Sequence, residues 1–196
     1  MHRDSLRDTI LDRAVQLTSV CGLHGLTIGK LATALGISKG GVCAHFPSKD
    51  QLQLAVVERA SATFAAAAVY PAFESKEGAA RLADLTERWF AYLRTEVFEG
   101  GCFFSNVLFE LDDLDSGPLL EAVRLQYQRY LTYLEEQTAT AIQQGELHPE
   151  IDPAAFAHQL HGFQLAALTF RSLGKVDRGI ELARRNTRDL LGRSLL

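Results

Sequence analysis

Cysteine is scarce in this 196-residue chain, and its three residues, Cys21, Cys43 and Cys102, are odd in number and without CxxC spacing. That pattern indicates neither a disulfide framework nor a zinc site, so a thiol role would have to be single-residue chemistry. Long apolar runs are missing as well. The most apolar stretch, Phe64 to Phe73, is short and interrupted by Pro71, so no membrane span is expected. The start of the chain carries Arg3, Asp4, Arg7, Asp8, Asp12 and Arg13 with no apolar segment behind them, so a cytoplasmic protein without a secretory signal is expected. β-Branched residues are few beside Ala and Leu, and no segment sustains period-two alternation, which argues against strands. HExxH, Walker and GxGxxG patterns are absent, so catalysis, a cofactor and a metal are not expected.

What is present is helical. The hydrophobic fraction of 47% and the charged fraction of 22% suit one large or two small folded domains. Residues 1–60 hold seven Lys or Arg against five acids, a balance of +2, and the remainder carries −6. The charge split suggests a small basic module on an acidic body. Ser5 and Asp8 form a candidate capping box, and Leu6, Ile10, Ala14, Leu17 and Cys21 form an apolar stripe ending near Gly22. Thr27 can cap a short helix that stops at Gly36, Ser38 can cap a second reaching Phe46, and Ser48 with Gln51 can open a long third. Further helices are expected from Gly78 to Phe98, Cys102 to Leu111, Pro118 to about Gln144, Pro153 to about Leu173 and Val176 to Leu195. An acidic turn falls between, over 112–118. The expected fold is all-α, with about nine helices.

The segment Thr27 to Phe46, two short helices joined by Gly36 and the apolar Ile37, fits a helix-turn-helix. Its second helix opens on Ser38, Lys39, Gly40 and Gly41, small or basic residues that let phosphates approach, and Lys49 can supply another phosphate contact. Residues 9–57, especially LATALGISKG and HFPSKDQL, resemble the N-terminal domain of TetR-type transcriptional regulators. The resemblance implies a DNA-binding domain over 1–47 and a helical ligand-binding and dimerisation domain over 48–196. It implies backbone contacts from Thr27, Lys39, His45 and Lys49, and base readout from Lys39, Gly40, Gly41 and Ala44. Family members usually carry a tyrosine where this chain has Cys43, which removes a contact to the DNA backbone. The implied partners are a near-palindromic double-stranded operator, a second copy of the chain and a small-molecule effector, with no membrane involved. The implied activity is ligand-released repression.

The effector pocket is expected among the aromatic and apolar residues of the body: Phe64, Trp89, Phe90 and Leu93, then Phe103, Phe104 and Phe109, then Tyr127 and Tyr130. That lining would suit a hydrophobic or aromatic molecule. Cys102, at the start of GGCFFSNVLFE, joins this list and leaves open an electrophile- or redox-sensing role, because a helix N-terminus lowers a thiol pKa. The last two helices are expected to form the dimer interface through Phe156, Leu160, Phe163, Ala167 and Phe170, with Ile180, Ala183 and Leu190. His158 and His161 share a helix face without an evident third ligand, which favours an interface pair over a metal site. An enzyme on a helical bundle, a ligand-independent architectural DNA protein and a ligand-responsive activator are the competing readings. The acidic body opposes the second, and the third differs only in promoter position.

Overall fold

A computed structural model describes residues 3–111 and 117–195. The Ser5 side chain, with its expected cap, and most of the acidic turn over 112–118 lie outside the described residues. Among the described residues the fold is all-α: α1 Arg3–Gly25, α2 Ile28–Leu35, α3 Lys39–Cys43, α4 Lys49–Phe64, α5 Ala79–Arg94, α6 Phe103–Glu110, α7 Pro118–Gln143, α8 Pro153–Ser172 and α9 Val176–Ser194. After α4 the chain widens into a π turn, Ala65–Val69, and tightens into a 3-10 turn, Tyr70–Glu74, around Pro71, which has no N–H for a helical bond. By length and composition alone the stretch Lys49–Glu74 could cross a membrane. In the fold Leu52, Val56 and Ala60 are buried, and Arg59 pairs with Asp8 and Asp12 of α1, so the apolar face is core.

Two compact units are present, and they interleave along the chain: residues 1–63 with 98–126, and residues 64–97 with 127–196. In the first, Ile10, Ala14, Leu23, Leu31, Val42, Phe46 and Leu52 are buried around the short helices. Capping follows the sequence closely. Thr27 Oγ1 accepts from Lys30 N at 3.1 Å, Ser38 Oγ from Gly41 N at 3.1 Å, and Ser48 Oγ from Gln51 N at 3.2 Å. Gly36 ends α2 in the left-handed region (φ 67°, ψ 25°), and the N–H of Ile37 returns to Ala32 O at 3.1 Å, closing the turn between α2 and α3. The second of these helices is shorter than expected. It ends at Cys43, with Ala44 and His45 continuing as a turn whose N–H groups return to Gly40 O and Val42 O.

In the second unit Leu82 and Leu85 of α5, Leu134 and Ala141 of α7, Phe156 and Leu160 of α8, and Leu190 of α9 form one apolar cluster. Asp152 Oδ1 caps α8 by accepting from Ala154 N at 2.9 Å, ahead of Pro153 at its first position. Gly179 of α9 lies so close to Phe170 that a Cβ there would overlap that side chain. The residues of the expected dimer surface take part in this packing. Phe156, Leu160, Ala167, Ile180, Ala183 and Leu190 are each less than a tenth exposed within the single chain, and Phe163 and Phe170 are half-buried. The stripe is used inside the protomer, because α8 and α9 bury it against each other and against the helical core.

Candidate nucleic-acid interface

Val42 and Phe46, one turn apart, are 0% and 2% exposed and fix α3 against the core, with the Arg7 guanidinium 5.1 Å above the Phe46 ring. Anchoring by these two residues decides which face points outward. Ser38, Lys39, Gly40, Cys43 and Ala44 are exposed, and Gly41 and His45 are half-buried. The Lys39 stem lies along the start of α2: a Cβ built on Gly29 would meet Lys39 Cε at 3.3 Å and Nζ at 3.7 Å, with Thr27 Oγ1 at 4.0 Å. Thr27 and Lys39, twelve positions apart, therefore converge on one edge. Gly29 leaves the space that this convergence needs.

Two further exposed cations are anchored side by side on the end of α1. Lys49 Nζ donates to His24 O at 3.3 Å, and Lys30 Nζ donates to Gly25 O at 2.9 Å, both at the C-terminal end of α1, where the helix dipole favours positive charge. Both lysines are exposed, and an ammonium has three donors, so each keeps hydrogens for another acceptor. Lys30 did not emerge from the sequence reading. Its position three residues after a candidate cap was the available signal.

The final turn of α1 carries more contacts than the periodicity suggests. The helix breaks at Gly22 (φ 75°, ψ 172°) and resumes for one turn, where the sequence pointed to termination near Gly22. Glu110 of α6 accepts from Leu23 N and His24 N, both at 2.7 Å, and its Oε1 lies 3.3 Å from His24 Nδ1. Gln53 Nε2, buried in α4, donates to Leu23 O at 2.7 Å. Neither Gln53 nor Glu110 was legible as a support of the end of α1, since their partners are backbone atoms distant in sequence.

The residues expected to line an effector pocket divide between the two units. In the second, Phe64 meets Tyr92 and Tyr130 edge-to-face at 5.3 Å each, and Trp89 lies 5.9 Å from Phe90 and 6.1 Å from Tyr92, with Leu93 buried nearby on α5. A polar string runs beside these rings. Tyr127 Oη is 2.5 Å from His161 Nε2, His161 Nδ1 is 3.0 Å from Gln164 Oε1, and Gln164 Nε2 donates to Tyr130 Oη at 2.7 Å. Burial pushes the His161 pKa below its ordinary value, with a hydrogen bond to Gln164 opposing and His158 adding to the effect. The neutral ring satisfies the string when Nδ1–H donates to Gln164 and Nε2 accepts from Tyr127. His161 thus has both ring nitrogens engaged, while His158 is exposed.

In the first unit Phe103 packs on Phe98 at 5.7 Å and on Phe104 at 5.2 Å. Phe109 does not join them. It is 72% exposed, because it falls on the outer face of the short α6. Cys102 is 5% exposed, and its Sγ accepts from Ser105 Oγ at 3.3 Å. Burial limits the access of a bulky electrophile to this thiol.

A model of the bacterial regulatory proteins of the tetR family matches residues 10–56, and a model of the tetracyclin repressor-like C-terminal domain matches residues 78–187. A TetR transcriptional regulator from Chloroflexus aurantiacus J-10-FL is 24% identical, with a TM-score of 0.85 over 98% of this chain and 96% of that one. KstR2 of Mycobacterium tuberculosis, a ketosteroid transcriptional regulator, is 17% identical, with a TM-score of 0.72 over 100% and 97% of the two chains. AibR, solved in complex with isovaleryl coenzyme A and operator DNA, is 21% identical, with a TM-score of 0.68 over 83% and 85%. At these identities the likeness is one of fold. No curated protein matches the chain.

Proposed function

The chain belongs to the TetR family of DNA-binding transcriptional regulators, which are not enzymes, and from that premise we propose that it is a ligand-released repressor binding a near-palindromic operator as a homodimer. The observation that carries this reading is the exposed edge on which Thr27 and Lys39 converge beside the small residues of α3, with Lys30 and Lys49 exposed at the end of α1. Residues 1–47 act as the DNA-reading domain and residues 48–196 as the ligand and dimer domain. Thr27, Ser38, Lys39, His45 and Lys49 contact phosphates, which set register and carry the salt dependence. Lys39, Gly40, Gly41 and Ala44 face the base edges. With so few long side chains there, sequence-dependent DNA shape supplies much of the specificity.

The dimer uses the face of α8 that the protomer leaves uncovered. Ala155, Gln159, Gly162, Ala166 and Thr169, with Leu173 just past the helix end, are all exposed at alternating spacings of four and three. A Cβ at Gly162 would meet nothing within 4 Å, so this face admits the close approach of a second helix. Two copies related by a two-fold axis place their α3 helices in successive major grooves, roughly 34–36 Å apart.

The effector occupies the helical body. AibR was solved with both isovaleryl coenzyme A and operator DNA, and the same pairing of ligand and operator is proposed for this chain. Phe64, Trp89, Phe90 and Leu93 favour an apolar or aromatic molecule, and Tyr127 and Tyr130, at the ends of the polar string, offer it hydrogen bonds. Release requires only that the effector prefer a dimer geometry mismatched to the operator, by about 1–3 kcal/mol of coupling. Selection from a random duplex library tests the proposal. The chain should enrich a near-palindrome with half-sites about one helical turn apart, and Lys39→Ala should enrich it poorly. Equal enrichment by the variant would displace α3 from the groove.

A further inference from the structure

An α-helix that breaks leaves backbone amides and carbonyls without their ladder partners, and in α1 two such amides and one carbonyl are met by α6. In an unbroken helix Leu23 N–H would donate to Ser19 O. Here Leu23 N donates to Glu110, and Ser19 O accepts from Asn106 Nδ2 at 3.3 Å. Asn106 and Glu110 are four residues apart on one face of α6, so a single helical turn substitutes for the missing bond. Close approach at this seam is built into the sequence. A Cβ on Gly100 would overlap Ser19 O, and a Cβ on Gly22 would overlap the Glu110 carboxylate. Gly100 N donates to Ser19 Oγ at 2.9 Å, Glu99 N to Gln16 Oε1 at 2.9 Å, and Asn106 Nδ2 also to Gly100 O at 2.8 Å.

The one-turn segment beyond the break, Leu23–Gly25, is therefore held at both ends. Glu110 places a negative charge at its two leading N–H groups, while Gln53, Lys49 and Lys30 take the carbonyls of Leu23, His24 and Gly25. We propose that Glu110, assisted by Asn106, is a positioning residue for operator binding: by holding α1 open at Gly22 it aims the carbonyls that set Lys30 and Lys49 toward the DNA backbone. The inference rests on the reading of those lysines as phosphate contacts. Without Glu110 the leading amides lose their acceptor, the turn either rewinds onto α1 or frays, and both lysines lose their common support.

The test is a cycle of salt-titrated operator affinities with Glu110→Gln, the double variant Lys30→Ala/Lys49→Ala and their combination, alongside Lys39→Ala. Glu110→Gln should weaken binding by about tenfold and reduce the salt slope by about two phosphate contacts, close to 1.8 in the log–log plot. The lysine double variant should lose a similar amount, and the combination should lose little more, since both changes remove the same contacts. Glu110→Asp, which keeps the charge one methylene short, should fall between wild type and Glu110→Gln. It also reports if the amide variant folds poorly. Additive losses, or an unchanged slope in both Glu110 variants, would overturn the inference. If Lys39→Ala and the lysine double variant leave affinity unchanged, it is the DNA-binding reading that fails; if they weaken binding and Glu110→Gln does not, it is the positioning role alone.

Discussion

At residue scale the interface depends on what is small as much as on what is charged. Gly29 makes room for the Lys39 stem, and Gly40, Cys43 and Ala44 keep the outer face of α3 low. Cys43 is exposed at the end of that helix, where a tyrosine could reach a phosphate. Cys43→Tyr should tighten operator binding at fixed salt by about threefold to tenfold, as one added backbone contact would; unchanged or weaker affinity in the same titration would remove the argument. His161 yields a second prediction. Its folded-state pKa lies below the ordinary 6.5, so as pH falls through that value the unfolded chain takes up the proton first and folding stability declines. The thermal midpoint should therefore drop as pH falls below about 6.5, and His161→Gln should flatten that drop. A variant profile parallel to wild type would assign the pH dependence elsewhere.

At the scale of elements, local signals were legible and distant partners were not. Thr27, Ser38, Ser48 and Asp152 each cap the helix that the sequence predicted for them, because capping joins residues two or three apart. Gly36 likewise announced the turn between α2 and α3. The α6 seam was invisible for the opposite reason: Glu110 serves amides 86 and 87 positions away, and no periodicity records that. The apolar stripe of α8 was legible as a buried face, but a stripe does not state what buries it, and within the chain α9 and the helical core do so. Its exposed neighbour carries the dimer prediction. Ala166→Arg should shift sedimentation toward a single protomer and weaken operator binding by at least about tenfold, because an unpaired guanidinium would be buried at a helix crossing. A dimer that persists unchanged would place the interface on another surface.

For the whole molecule, the functional blocks 1–47 and 48–196 follow chain order, and the compact units interleave along it. Two elements cross between the units within a single helix, α4 at Thr63 to Phe64 and α7 at Gln126 to Tyr127, and such crossings leave no mark in composition. The acidic net charge of −4 also fits this architecture, since only a small part of the surface needs to meet phosphate. The account's central claim is that this surface reads DNA as a symmetric pair, and fluorescence anisotropy of the wild-type chain on DNA from upstream of its own gene, at two salt concentrations with scrambled competitor, tests it most directly. The account predicts tight, salt-sensitive, competitor-resistant binding that saturates at two protomers, or a multiple of two, per site. Binding that scrambled DNA abolishes, or that saturates at one protomer, would contradict it.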